Sequence, residues 1–121
     1  MRKNIFGDML DACRCSKGKI SGWKRDGYCS NYVEDEGTHI VCAKVTNDFL
    51  MFSLSKGNDL VTPRRGFPGL IEGDCWCLCV MRWIEAYNNG VAPPIFLKGT
   101  DKSVLKYVDI NILKKYALDI L

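Results

Sequence analysis

The pattern of hydrophobic and polar positions changes character near residue 38. Residues 1–38 hold no sustained strand or helix period. They are rich in Gly, Ser, Lys and Asp, with turn signals at Lys17-Gly18, Ser21-Gly22, Asp26-Gly27 and Glu36-Gly37. This predicts loops with room for one short strand. Residues 39–46 (HIVCAKVT) are β-branched and alternate, which predicts a strand. Thr46 then reads as a helix N-cap, with a helix from Asn47 to Lys56 closed by Gly57 at C′. Residues 58–73 carry Pro63 and Pro68 among Asn, Asp and Gly, an ordered loop long enough to be a binding segment. Asp74 reads as the cap of a helix from about Cys75 to Asn89. Trp76, Cys79, Val80, Trp83 and Tyr87 recur there at spacings of three and four, and Gly90 ends the run. The stretch WCLCVM also fits a strand with Cys75, Cys77 and Cys79 on one face. The helix is preferred because the Gly-Asp start agrees with the apolar spacing. Residues 95–98 (IFLK) suit a short strand, and Thr100 and Asp109 can each cap a helix. These elements predict an α+β fold: a single small domain over residues 1–121, with a short, mostly antiparallel sheet packed with three or four helices.

Composition adds bounds. At 121 residues, 47% hydrophobic and 26% charged, the chain is excluded from the disordered, collagen and coiled-coil classes. It is long enough to fold without a disulfide framework. No apolar run approaches the ~18 residues of a membrane span, so no membrane partner is expected. The net charge of +3 is spread out. Five basic residues between Arg14 and Arg25 stand without an acidic one, and Glu34-Asp35-Glu36 follows. That stretch reads as a solvated loop and not as a nucleic-acid face. The N-terminus is basic, but Asp8 and Asp11 interrupt any signal-peptide core. A cytoplasmic protein is expected, with its seven cysteines (13, 15, 29, 42, 75, 77 and 79) reduced. The odd count also argues against a complete internal set of disulfides.

Several strings occur together: RDGYC (25–29), GTHIVCA (37–43), GNDL (57–60), FPGL (67–70), GD.WCLC..RW (73–83) and GVAPP (90–94). In this order, over nearly the whole chain, they resemble a family of small, mainly bacterial proteins known as domain of unknown function 2237. The resemblance implies a stand-alone α+β protein and carries no activity, substrate or cofactor with it. Cys13, Cys29, Cys42, Cys77 and Cys79 match the family's pattern, whereas Cys15 and Cys75 are additions of this sequence. Relatives often read Ala-Thr-His-Glu where this chain has Gly99-Thr100-Asp101-Lys102, which leaves His39 as the only imidazole.

The chemistry then divides into three classes. The leading reading is a small ligand-binding or interaction module, its pocket walled by residues 57–70 and the start of the 75–89 segment. Arg64, Arg65, Arg82, Asn58, Asp59 and Trp83 are its candidate ligand-binding residues, because guanidinium pairs bidentately with carboxylate or phosphate, although Arg64 and Arg65 also read as a wet loop tip. Its partner is an unknown small ligand or protein. Arg82 also reads as structural, its head pairing with Asp59 or Asp26. A second reading is a thiol-dependent enzyme or redox sensor, with Cys77 in the first helical turn as nucleophile and His39 as base. A third is a zinc site from Cys29, His39, Cys42 and Cys77. Its spacing is poor, since His39 and Cys42 at i and i+3 face opposite ways on a regular strand, and a helical CxC pair diverges by ~200°. Against all three, most cysteines also read as small core residues, Cys42 and Cys79 above all. Without a P-loop, GxGxxG, GxSxG or HExxH pattern, nucleotide hydrolysis, Rossmann dehydrogenation, serine hydrolase and zincin chemistry recede.

Overall fold

Two antiparallel strands, β1 (His39–Lys44) and β2 (Cys75–Cys79), pair at the centre of the computed structural model, which describes residues 2–15 and 18–120. The Lys17-Gly18 turn signal lies partly outside the described residues. Between the strands runs α1 (Asn47–Ser55), and α2 (Val80–Asn88) follows β2 directly. Short 3-10 helices at Leu97–Gly99 and Lys102–Lys106 lead to α3 (Ile110–Lys115). The architecture is α+β, as expected. No helix among the described residues is long and apolar enough to cross a membrane.

Local chemistry explains most of these boundaries. Thr46 accepts the Phe49 N–H at 3.1 Å and starts α1, and Gly57 follows its end at φ +84°. Asp109 caps α3 through the Asn111 N–H at 2.7 Å. Two expectations need correction here. Thr100 caps no helix; Asp101 does so, accepting the Ser103 N–H at 2.9 Å. Residues 95–98 form no strand, only bridges from Ile95 to Ala43 and Ala117 before a 3-10 turn.

A larger correction concerns residues 75–79, expected as the start of a helix. They form β2, because alternation satisfies both of their faces at once. Trp76 and Leu78 enter the apolar core, while Cys75, Cys77 and Cys79 point the other way. Asp74 is accordingly not a cap; its carboxylate accepts the Ile71 N–H and pairs with Lys19.

The main core gathers Val41, Phe49, Leu50, Trp83, Ile95 and Leu113, all within 1% of full burial, against the inner faces of α1, α2 and α3. A second buried cluster, on the opposite face of the sheet, consists of Cys13, Cys29, Cys42, Cys75 and Cys77.

Candidate functional site

The second cluster overturns the expectation of seven reduced cysteines. Six pair as Cys13–Cys42, Cys15–Cys75 and Cys29–Cys77, with Cα–Cα separations of 5.7, 5.3 and 5.2 Å, inside the range that a disulfide spans. An odd count is accommodated by leaving Cys79 free. Every pair ties the loop-rich first 38 residues to a strand. The two cysteines that stand outside the family resemblance, Cys15 and Cys75, are bonded to each other.

Strand pairing brings two of these cystines side by side. Cys42 gives its N–H to Thr100 Oγ1 and its carbonyl to the Phe96 N–H, both on the side away from β2. Its pairing with Cys77 is therefore of the non-hydrogen-bonded kind, in which side chains approach most closely. The sulfurs of Cys13, Cys29 and Cys42 lie within 4.8 Å of one another. Three members of the expected zinc set, Cys29, Cys42 and Cys77, thus do meet, with Cys13 in place of His39. Bonded as cystines they present no thiolate, which is the ligand that zinc takes. The same bond removes the thiol of Cys77, the expected nucleophile, whose residue is also 1% exposed.

His39 points elsewhere. The register slips between His39 and Val41, inserting Ile40 as a bulge, so His39 stands opposite Cys79 while Cys42 stands opposite Cys77. The bulge undoes the i, i+3 objection and sets His39 on the same sheet face as the cysteines. Its Nδ1 lies 2.8 Å from Asp35 Oδ1, and its backbone N–H donates to Asp35 Oδ2 at 2.8 Å. The Asp35 side chain is 1% exposed. Gly37 packs against the imidazole, where a Cβ would come 2.5 Å from Cε1. Thr38, between them, holds a left-handed φ of +52°, a strained setting for a β-branched residue.

His39 and Cys79 border a cleft of about 520 Å³. Arg25, Arg64, Arg65 and Arg82 line it with Trp23, Phe67 and Trp76, and no carboxylate is among the lining residues. The arginines are held by local geometry. Arg25 lies over the Trp76 ring at 5.0 Å and donates to the carbonyls of Gly22 and Gly66; burial lowers its pKa. Arg64 lies over Phe67 at 4.7 Å and donates to the Asp59 carbonyl. A tight hairpin closed by reciprocal Arg64–Phe67 backbone bonds puts Arg65 at its tip, with no partner among the described residues. Arg82 pairs with Glu85 at 3.1 Å and reaches the Lys56 carbonyl, not Asp59 or Asp26.

Of the expected ligand-binding residues, Asn58, Arg64, Arg65 and Arg82 therefore meet at one cleft, and two do not. Asp59 builds the loop beneath: its Oδ1 accepts the Val61 and Thr62 N–H groups. Hydrogen bonds from Thr62 lower its pKa. Trp83 is fully buried, donating from Nε1 to the Pro93 carbonyl and stacking on Tyr87, so it belongs to the core. Sequence reasoning missed Arg25, hidden in a run that reads as solvated, and Asp35, whose i, i+4 spacing to His39 was its only signal.

These features define a small α+β protein with a cystine layer on one sheet face and a basic cleft at one end of it. A family model described as "Uncharacterized protein conserved in bacteria (DUF2237)" matches residues 3–117, and the chain belongs to that family. No curated protein matches the chain.

Proposed function

We propose that the protein binds a small anion with a flat apolar portion in the cleft of about 520 Å³. One observation carries this reading: four guanidinium groups from three separated stretches line one concavity that has no carboxylate in its lining, and among the described residues only Arg82 of the four is held by an ion pair, to Glu85 outside the lining. Guanidinium recognises carboxylate and phosphate bidentately, and a low-dielectric wall strengthens the attraction. Trp23, Phe67 and Trp76 supply apolar surface for the rest of the ligand, and the volume falls in the range of small-molecule sites.

Phenyl phosphate is the probe, read by tryptophan fluorescence and calorimetry. We expect binding to weaken at least ~10-fold when Arg64 and Arg65 are both replaced by Ala, about 1.4 kcal/mol or more. Unchanged affinity in that folded variant ends the reading. A cytoplasmic address goes with it where the cystines form only on oxidation, since the cytosol keeps most thiols reduced. Thiol counting on acid-quenched cells distinguishes seven thiols per chain from one.

A further inference from the structure

We propose that Cys79 is a nucleophile for small anionic disulfides, with His39 as its base and Asp35 as the positioning residue. The inference rests on the anion-binding reading of the same cleft and adds a reaction to it. Cys79 is the one cysteine left as a thiol, and it is partly exposed at the cleft. It stands directly across the strand pair from His39, at a distance where paired Cβ atoms are ~5 Å apart. Neither the sulfur nor His39 Nε2 has a hydrogen-bond partner among the described residues, so both remain available to each other and to a substrate. Buried Asp35 holds Nδ1, which leaves Nε2 as the nitrogen that takes a proton. A nucleophile, a base and a group orienting the base is the arrangement that thiol catalysis requires. Gly37 and the bulge at Ile40 keep the ring where it is.

The step balances without an outside oxidant. Nε2 accepts the Cys79 proton, and the sulfur lone pair attacks one sulfur of the bound disulfide. A Cys79–substrate S–S bond forms as the substrate's own S–S bond breaks, and the departing thiolate carries away the electron pair. The arginines favour the anionic substrate and its anionic leaving group.

Two disulfides test this: the dianionic bis(nitrobenzoate) disulfide and the uncharged dipyridyl disulfide, each read by release of its coloured thiol. One equivalent should be released per chain, lost in Cys79→Ser. His39→Gln should slow both reagents by ~100-fold, the scale of general-base assistance. Arg64→Ala/Arg65→Ala should slow the dianionic reagent alone, by ~10-fold. A Cys79 rate equal to that of a simple thiol in both wild type and His39→Gln overturns the nucleophile while leaving phenyl phosphate binding intact. Equal loss with both reagents in the arginine variant overturns the anion preference instead. For Asp35, the readout is the downfield Nδ1–H resonance of the single histidine. Asp35→Asn should abolish it and slow exchange, and Asp35→Glu should restore both in part; a slow Asp35→Asn variant that keeps the resonance removes Asp35 from the scheme.

Discussion

The two faces of the β1–β2 sheet are held by different physics. On one face, α1, α2, α3 and the segment before them bury Trp83, Phe49, Leu113 and their neighbours by ordinary hydrophobic packing. On the other, the first 38 residues contribute only Ile5 to that core, and among the described residues they form no helix or strand, only isolated bridges. Beside polar contacts such as the Asp11 N–H to the Lys98 carbonyl and Lys19 to Asp74, what anchors them is covalent: each of the three cystines joins this segment to β1 or β2. The apolar half pays its ordering entropy with buried area, the other by cross-links that restrict the unfolded chain. The cleft lies between these regimes, with Trp23 and Arg25 from the cross-linked segment facing Arg64, Phe67 and Arg82 from the packed one.

Reduction separates the two most strongly. With sequence separations of 29, 60 and 48 residues, chain entropy assigns roughly 3.5–4.5 kcal/mol to each bond, less in sum because the loops overlap. On treatment with a phosphine, amides of residues 2–38 should lose hydrogen-exchange protection while those of α2 and α3 keep most of theirs. Simultaneous loss across both faces would show a single cooperative unit and dissolve the distinction. The converse experiment is Leu113→Ala, which empties a fully buried site in the packed half. It should cost about 2–5 kcal/mol in denaturant unfolding of the oxidised protein. It should also leave the cystine count unchanged, since the cross-links lie on the other face; mispaired cysteines in this variant would mean that the core dictates the pairing.

This division also explains what could be read in advance. The packed half is specified locally: the alternation of 39–46, the Thr46 cap, Gly57 and the Asp109 cap are each written within a few residues. Segment 75–79 was ambiguous because both faces of CWCLC are buried, so its apolar positions satisfy a period of two and also align with Val80, Trp83 and Tyr87 at helical spacing. Only its pairing with β1, a non-local event, decides for a strand. Cystine pairing is non-local as well, and spacing cannot select one connectivity among the many that seven cysteines allow. The site was partly legible for a related reason. Arg64, Arg82, Asn58 and His39 are recognisable as chemistry, but their convergence on one cleft is non-local, and the exchange of Cys77 for Cys79 depends on the Cys29–Cys77 bond and on the bulge at Ile40, which sets His39 opposite Cys79.

The smallest expected effect falls within the cross-linked segment, at Asp26. Burial raises its pKa, but the Tyr32 hydroxyl at 2.6 Å, the Tyr28 N–H and the Arg2 charge together outweigh it, so its pKa is lowered from the usual carboxylate value. The same hydrogen bond raises the pKa of Tyr32. A carboxylate with a depressed folded-state pKa contributes stability that is fully present above its unfolded value, near 3.8, and is lost as pH falls through the folded one. Asp26 is partly exposed, so solvent screening limits this to about a few tenths of a kcal/mol. Asp26→Asn should therefore flatten the acid limb of the stability curve slightly below that pH. The change should appear in exchange protection of residues 21–32, since Asp26 bonds Tyr28 and Tyr32 within that loop, and not in α2. An equal change in both regions would place Asp26 in a structure-wide network and show that the cross-linked segment is less independent than its small share of the apolar core implies.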